Sequence, residues 1–171
     1  MRNLVFTITL FLISINVSAQ ISTTRMNDLK VGMKLSEVER TLDETIHLAK
    51  DKNWGYTATI NHKGSKFNVR FIEHSDNNGI ISYSLFKIET TSTNIKTLSK
   101  VGIGSSIDDL WRVYKNYSIS IWKAWDSGAE KYSETDRTFQ LSDGDTGTAL
   151  YFHLRNNKVY KISLNYYEEG C

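Results

Sequence analysis

Four histidines, at positions 47, 62, 74 and 153, are the first places to look for acid–base or metal chemistry. None stands in an i, i+4 pair or in an H-E-x-x-H motif, the spacing that turns two imidazoles on one helix face toward zinc. His62 and His74 are the one pair that a hairpin would bring face to face, and solvated strand or loop histidines are the plainer expectation. Asp145-Thr146-Gly147 spells the aspartic-protease triplet. That chemistry needs an apolar strand leading in and a second carboxylate to share a proton. Ser142-Asp143-Gly144 leads in instead, which is turn composition. Asp143 and Asp145 also begin a calcium-loop pattern, but its twelfth position is Leu154 rather than a bidentate glutamate. Gly102-Ile103-Gly104-Ser105-Ser106 completes neither a dinucleotide nor a phosphate-loop motif, and no G-x-S-x-G elbow occurs. The sequence predicts no catalytic residue, no cofactor and no metal, so a non-enzymatic role is expected.

Composition narrows the classes further. The 21 basic and 19 acidic residues give a formal charge of +2 without basic or acidic runs, so no nucleic-acid footprint is present. The single cysteine, Cys171, excludes an internal disulfide framework and a CxxC zinc site; an intermolecular disulfide dimer is its functional reading and an incidental exposed thiol the plainer one. Residues 1–19 carry Arg2, an apolar run from Leu4 to Val17 and the small residues Val17-Ser18-Ala19, the three-part pattern of a secretory signal cleaved after Ala19. The expected location is the periplasm or the exterior. No later segment is long and apolar enough to span a bilayer.

The elements that must position any site come in two similar sets. Residues 32–42, G-M-K-L-S-E-V-E-R-T-L, match residues 104–114, G-S-S-I-D-D-L-W-R-V-Y, at an offset of 72. Residues 76–89 match residues 155–168 at an offset of 79, with Asn77-Asn78 on Asn156-Asn157 and Ser84-Leu85 on Ser163-Leu164. In each set an apolar stripe at i, i+3, i+7 (Leu35, Val38, Leu42; Ile107, Leu110, Tyr114) predicts a short helix. The period then changes to two, as in Phe67, Val69, Phe71 and in Leu150, Phe152, Leu154, which predicts strands joined by hairpin turns at His62-Lys63-Gly64 and Asn156-Asn157. The expected organisation is a signal over 1–19, a first α/β repeat over 20–90, a linker over 91–100 and a second α/β repeat over 101–171. The expected fold is α+β: two tandem helix-plus-four-strand repeats forming an eight-stranded antiparallel sheet with both helices on one face.

The line G-x-x-[LI]-x-[DE]-[VL] at Gly32 and Gly104, entering a helix before a run of strands, resembles two related groups. One is the β-lactamase-inhibitor-protein-like fold, built from two tandem helix-plus-four-strand copies; the other is the SmpA/OmlA (BamE-like) small envelope lipoprotein domain. The duplicated pattern is more similar to the first, over residues 29–167. The resemblance implies a concave, aromatic sheet face that grips a partner protein. The hairpin at Asn61-His62-Lys63-Gly64-Ser65 lacks the acidic-aromatic pair that the inhibitors insert into their target.

Aromatic residues outside the helix-facing phase are therefore the binding candidates. Trp122, Trp125, Tyr151, Phe86 and Tyr167, with Arg70, are expected to form a partner face, because interface cores favour aromatics and arginine. The alternative is that several are ordinary cross-strand pairs. The expected function is binding of another envelope or secreted protein, in its concrete form as inhibitor or immunity protein of an exported hydrolase. An envelope-assembly scaffold of the SmpA/OmlA type and a small-ligand carrier are the alternatives.

Overall fold

A computed structural model describes residues 20–52 and 55–167. The expected signal over 1–19 and Cys171 lie outside the described residues. Cys171 is the sole cysteine, so the chain has no intramolecular disulfide. No helix among the described residues is long and apolar enough to cross a membrane.

Twelve strands and two helices follow in the order β1 (Gln20–Ile21), β2 (Arg25–Met26), β3 (Leu29–Lys30), α1 (Leu35–Leu42), β4 (Ala49–Lys50), β5 (Tyr56–His62), β6 (Ser65–Ser75), β7 (Ile81–Thr90), β8 (Lys96–Thr97), α2 (Ile107–Tyr114), β9 (Ile119–Asp126), β10 (Lys131–Asp143), β11 (Thr148–Arg155) and β12 (Lys158–Tyr166). The large sheet is antiparallel throughout, with strand order β4-β5-β6-β7-β12-β11-β10-β9. Its centre is the β7–β12 pair, where Ile88 faces Leu164.

The expected α+β class of tandem helix-plus-four-strand repeats is overturned. The protein is mostly β: strands take 54% of the described residues and helices 11%. The physical reason is twofold. Each apolar helical stripe lasts two turns, so each helix ends after eight residues. A second, four-stranded sheet also forms, in the order β3-β2-β1-β8. It draws three strands from before α1 and one from the stretch read as a linker, and β8 runs parallel to β1 through Gln20–Lys96 and Ile21–Thr97. Among the described residues that sheet has no counterpart after α2, so they do not form two like units in series.

One core lies between the large sheet on one side and α1, α2 and the small sheet on the other. Phe67, Phe71, Leu85, Ile88, Phe139, Phe152, Leu154 and Ile162 point inward from the strands and are fully buried. Val38 of α1, Leu110 and Tyr114 of α2, and Met26, Leu29 and Ile95 close over them. Two tight hairpins hold the register. Lys63 and Gly64 (φ 50° and 71°) turn β5 into β6, and Asn156 and Asn157 (φ 49° and 61°) turn β11 into β12. Left-handed pairs of this kind match the twist of the strands they join.

Bulges move several side chains off their expected face. A shift between Arg70 and Phe71 in the β6–β7 pairing lets both Leu85 and Ile88 point into the core. Ile88 is therefore buried. A shift between His153 and Leu154 in the β11–β12 pairing buries Val159 and leaves Tyr160 39% exposed. An extra residue reverses the alternation beyond it.

Candidate functional site

The face of the large sheet turned away from the helices carries polar and aromatic rows. One row crosses Trp122, Thr138, His153 and Lys161. The next crosses Ser120, Gln140, Tyr151, Ser163, Glu89, Asn68 and Thr59. These residues alternate with the buried ones, so the strand period alone turns them outward.

Trp122 and Tyr151 meet on this face. Their rings stand edge to face with centroids 6.5 Å apart, and Trp122 remains 42% exposed. Trp125 belongs to a different place. It packs edge to face on Tyr132 at 5.2 Å, near the tip of the β9–β10 hairpin, with the two rings 58% and 60% exposed. Between that pair and the body of the sheet, residues 133–136 bulge out of register. Ser133 Oγ accepts the amide of Asp136 at 2.9 Å, and Asp136 takes the Arg155 guanidinium at 2.9 Å, which anchors the hairpin root. The Arg155 bond holds the Asp136 carboxyl below its ordinary range.

The other three predicted residues are dispersed. Phe86 stands at the β6–β7 bulge, its ring 6.2 Å from Tyr166. Arg70 lies on the β4–β7 half of the open face and donates to Asp51 at 2.9 Å. Tyr167 follows β12, and its amide donates to the Gly147 carbonyl at 3.1 Å.

Sequence reading missed the charged centre of the same face. Lys87 and Lys161 reach one oxygen of Glu89, at 3.0 and 3.1 Å. Burial alone would raise the Glu89 carboxyl, but the two ammonium groups outweigh it and hold it below the usual carboxylate range. Beside them His153 Nε2 shares a 2.9 Å hydrogen bond with Ser163 Oγ. Burial first, then the charges of Lys161 and Lys87, push His153 down to about 4, so it is neutral near pH 7. The signal that could have found this cluster is the polar alternation Lys87/Glu89, Lys161/Ser163 in two strands otherwise dense with apolar residues. A cavity of about 440 Å³ opens on this half, lined by Thr57, Thr59, Asn68, Arg70, Lys87 and Glu89 among others.

The remaining motifs take structural roles. Asp145-Thr146-Gly147 is the turn from β10 to β11; Asp143 before it accepts from Thr23 Oγ1 at 2.8 Å and from the Thr146 amide at 3.3 Å. His62 and His74 do not face each other: His62 bonds Asp28 at 2.7 Å and His74 bonds Ser84 at 2.7 Å. Among the described residues no three histidine, cysteine, aspartate or glutamate side chains gather as a metal site. Comparisons with protein-family models, with curated proteins and with solved structures gave no match.

Proposed function

We propose that this chain is a non-enzymatic module that binds another envelope or secreted protein, in the periplasm or outside the cell. The observation that carries the reading is the Trp122–Tyr151 pair on the face of the large sheet turned away from the helices. Large, stiff aromatic side chains that stay partly exposed on a rigid sheet, as Trp122 does, lose little conformational freedom on binding and dominate interface energetics. The Trp125–Tyr132 pair lies near the tip of the β9–β10 hairpin, where a partner's edge would rest. The charged centre supplies direction: Lys87, Lys161 and Arg70 set against Glu89 and Asp51 leave one positive charge, which favours a partner loop bearing a carboxylate. Neutralisation of an exported hydrolase, as inhibitor or immunity protein, is the concrete form of this reading. The leader-like residues 1–19 support export.

The test is a pull-down from the producing cell's periplasmic and secreted proteins with the chain from Gln20 onward as bait, read by mass spectrometry. A stoichiometric soluble hydrolase is expected. Replacing Trp122 and Tyr151 together by alanine should weaken its binding by about a hundredfold or more, the loss of a hot-spot pair, while the unfolding midpoint stays within a few degrees. Recovery of outer-membrane assembly components instead would favour the scaffold role, and undiminished binding by the double variant would remove the aromatic face from the account.

A further inference from the structure

A second cavity, of about 720 Å³, lies away from the aromatic face, where the small sheet, α1 and the β10–β11 turn meet. Its charge pattern is unusual. Arg25 of β2 and Lys30 of β3 are direct cross-strand partners, and both side chains point outward while Met26 and Leu29 point into the core. Like charges placed opposite each other destabilise a strand pair unless something neutralises them. Neither forms an ion pair among the described residues, and nor does Arg40, from the last turn of α1, which lines the same cavity. The two nearby carboxylates are engaged elsewhere. Asp28 is held by His62 and Lys63, both at 2.7 Å, and Glu37 accepts the Lys34 amide at 2.8 Å.

The rest of the lining is hydroxylic. Thr24, Thr146 and Tyr166 bring hydroxyl groups to the wall. Gly32 keeps the wall open: a Cβ there would stand 2.7 Å from the Tyr166 hydroxyl, and its φ of +90° suits glycine. The volume is that of a small-molecule site.

We propose that this cavity binds a small hydroxylated phosphate ester, with its phosphate seated between Arg25, Lys30 and Arg40. A phosphate ester carries close to two negative charges, more than a carboxylate offers, and matches the guanidinium fork. The ester's hydroxyls meet Thr24, Thr146 and Tyr166. The site is independent of the aromatic face, so its ligand and a protein partner bind without competing.

Titration calorimetry with glycerol 3-phosphate tests it, with glycerol and inorganic phosphate as comparators. Vesicles of phosphatidylglycerol, against phosphatidylcholine, distinguish a lipid headgroup from a free ester. Binding of glycerol 3-phosphate or of the phosphatidylglycerol vesicles, but not of glycerol or phosphatidylcholine, is the expected result, and which of the two binds names the source. The double variant Arg25→Gln/Lys30→Gln should bind at least about tenfold more weakly, and without ligand it should unfold at the same or a higher temperature, since the opposed charges are gone. Absence of binding by both phosphate probes, inorganic phosphate binding as tightly as the ester, unchanged affinity in the double variant, or a lower unfolding temperature for that variant would each overturn the proposal.

Discussion

The two halves of the large sheet use similar frames for different surfaces. In the first half, residues 32–34 lie along β7, with the Gly32 amide on the Leu85 carbonyl at 2.7 Å, and lead into α1. In the second, residues 104–106 lie along β12, with the Gly104 amide on the Val159 carbonyl at 2.8 Å, and lead into α2. Beyond that shared entry they diverge. Under α2, Tyr114 stacks on Phe152 at 6.1 Å and approaches Phe139 at 6.4 Å, whereas α1 fully buries Val38 alone. On the open face the second half shows Trp122 and Tyr151, while the first shows Thr57, Thr59, Asn68 and the Arg70–Asp51 pair. The half with the heavier aromatic core also carries the aromatic surface. A rigid, well-filled layer is what an exposed aromatic pair needs to stand on, so packing beneath and recognition above are properties of the same strands.

That contrast can be broken most forcefully in the core. Phe152→Ala should lower the unfolding free energy by roughly 3–5 kcal/mol, and Val38→Ala by roughly 2 kcal/mol, measured by urea denaturation. Equal costs would mean that both helices anchor the sheet alike.

Acid should weaken the second half by way of His153. Its proton affinity is lowered from 6.5 to about 4, so the unfolded chain binds the proton first. The stability this implies is fully present above pH 6.5 and is lost as pH falls toward 4, by roughly 3 kcal/mol in all. The depressed carboxylates Asp28, Asp136 and Glu89 give way at lower pH than the upper part of this window. Urea curves at pH 7 and pH 4.5 should therefore converge in His153→Gln and separate in the parent. The same separation in both would assign the acid sensitivity elsewhere.

The smallest expected effects lie at the helix starts. Ser106 Oγ accepts the Asp109 amide at 3.1 Å while Asp109 accepts the Ser106 amide at 2.9 Å. At α1 only the return bond exists, from the Lys34 amide to Glu37 at 2.8 Å, because a lysine side chain cannot accept. Ser106→Ala should cost about 1 kcal/mol, and Lys34→Ser should gain about 0.5–1 kcal/mol. Thermal unfolding of the two variants would show whether the difference between the helices is one of capping.

Helices and long strands were legible because their apolar period persists over several residues: Ile107, Leu110 and Tyr114 mark α2, and Phe67, Val69 and Phe71 lie on β6. The small sheet was not, since a two-residue strand such as Lys96–Thr97 contains no period to read. Nor were the bulges at Phe86 and Tyr160, because an extra residue leaves no mark in an apolar alternation. Of the site, Trp122 and Tyr151 share a face because they sit in phase on strands two apart in the sheet. Trp125 lies three residues beyond Trp122, across the shift that carries it to the hairpin tip. The Lys87–Glu89–Lys161 cluster depends on the pairing of β7 with β12, which join residues far apart in the chain; the polar alternation marks each strand but not its partner.

The parallel pairing of β1 with β8 has a kinetic consequence. It joins residue 20 to residue 96, so its two rungs can form only after the intervening chain has been drawn together, and loop closure of that length opposes it. The hairpins β5–β6 and β11–β12 need only a two-residue turn. The small sheet is thus a latch that closes late and opens early. Amide hydrogen exchange should be fastest there among the sheet-bonded groups, and each opening would briefly bare Met26 and Leu29 to solvent.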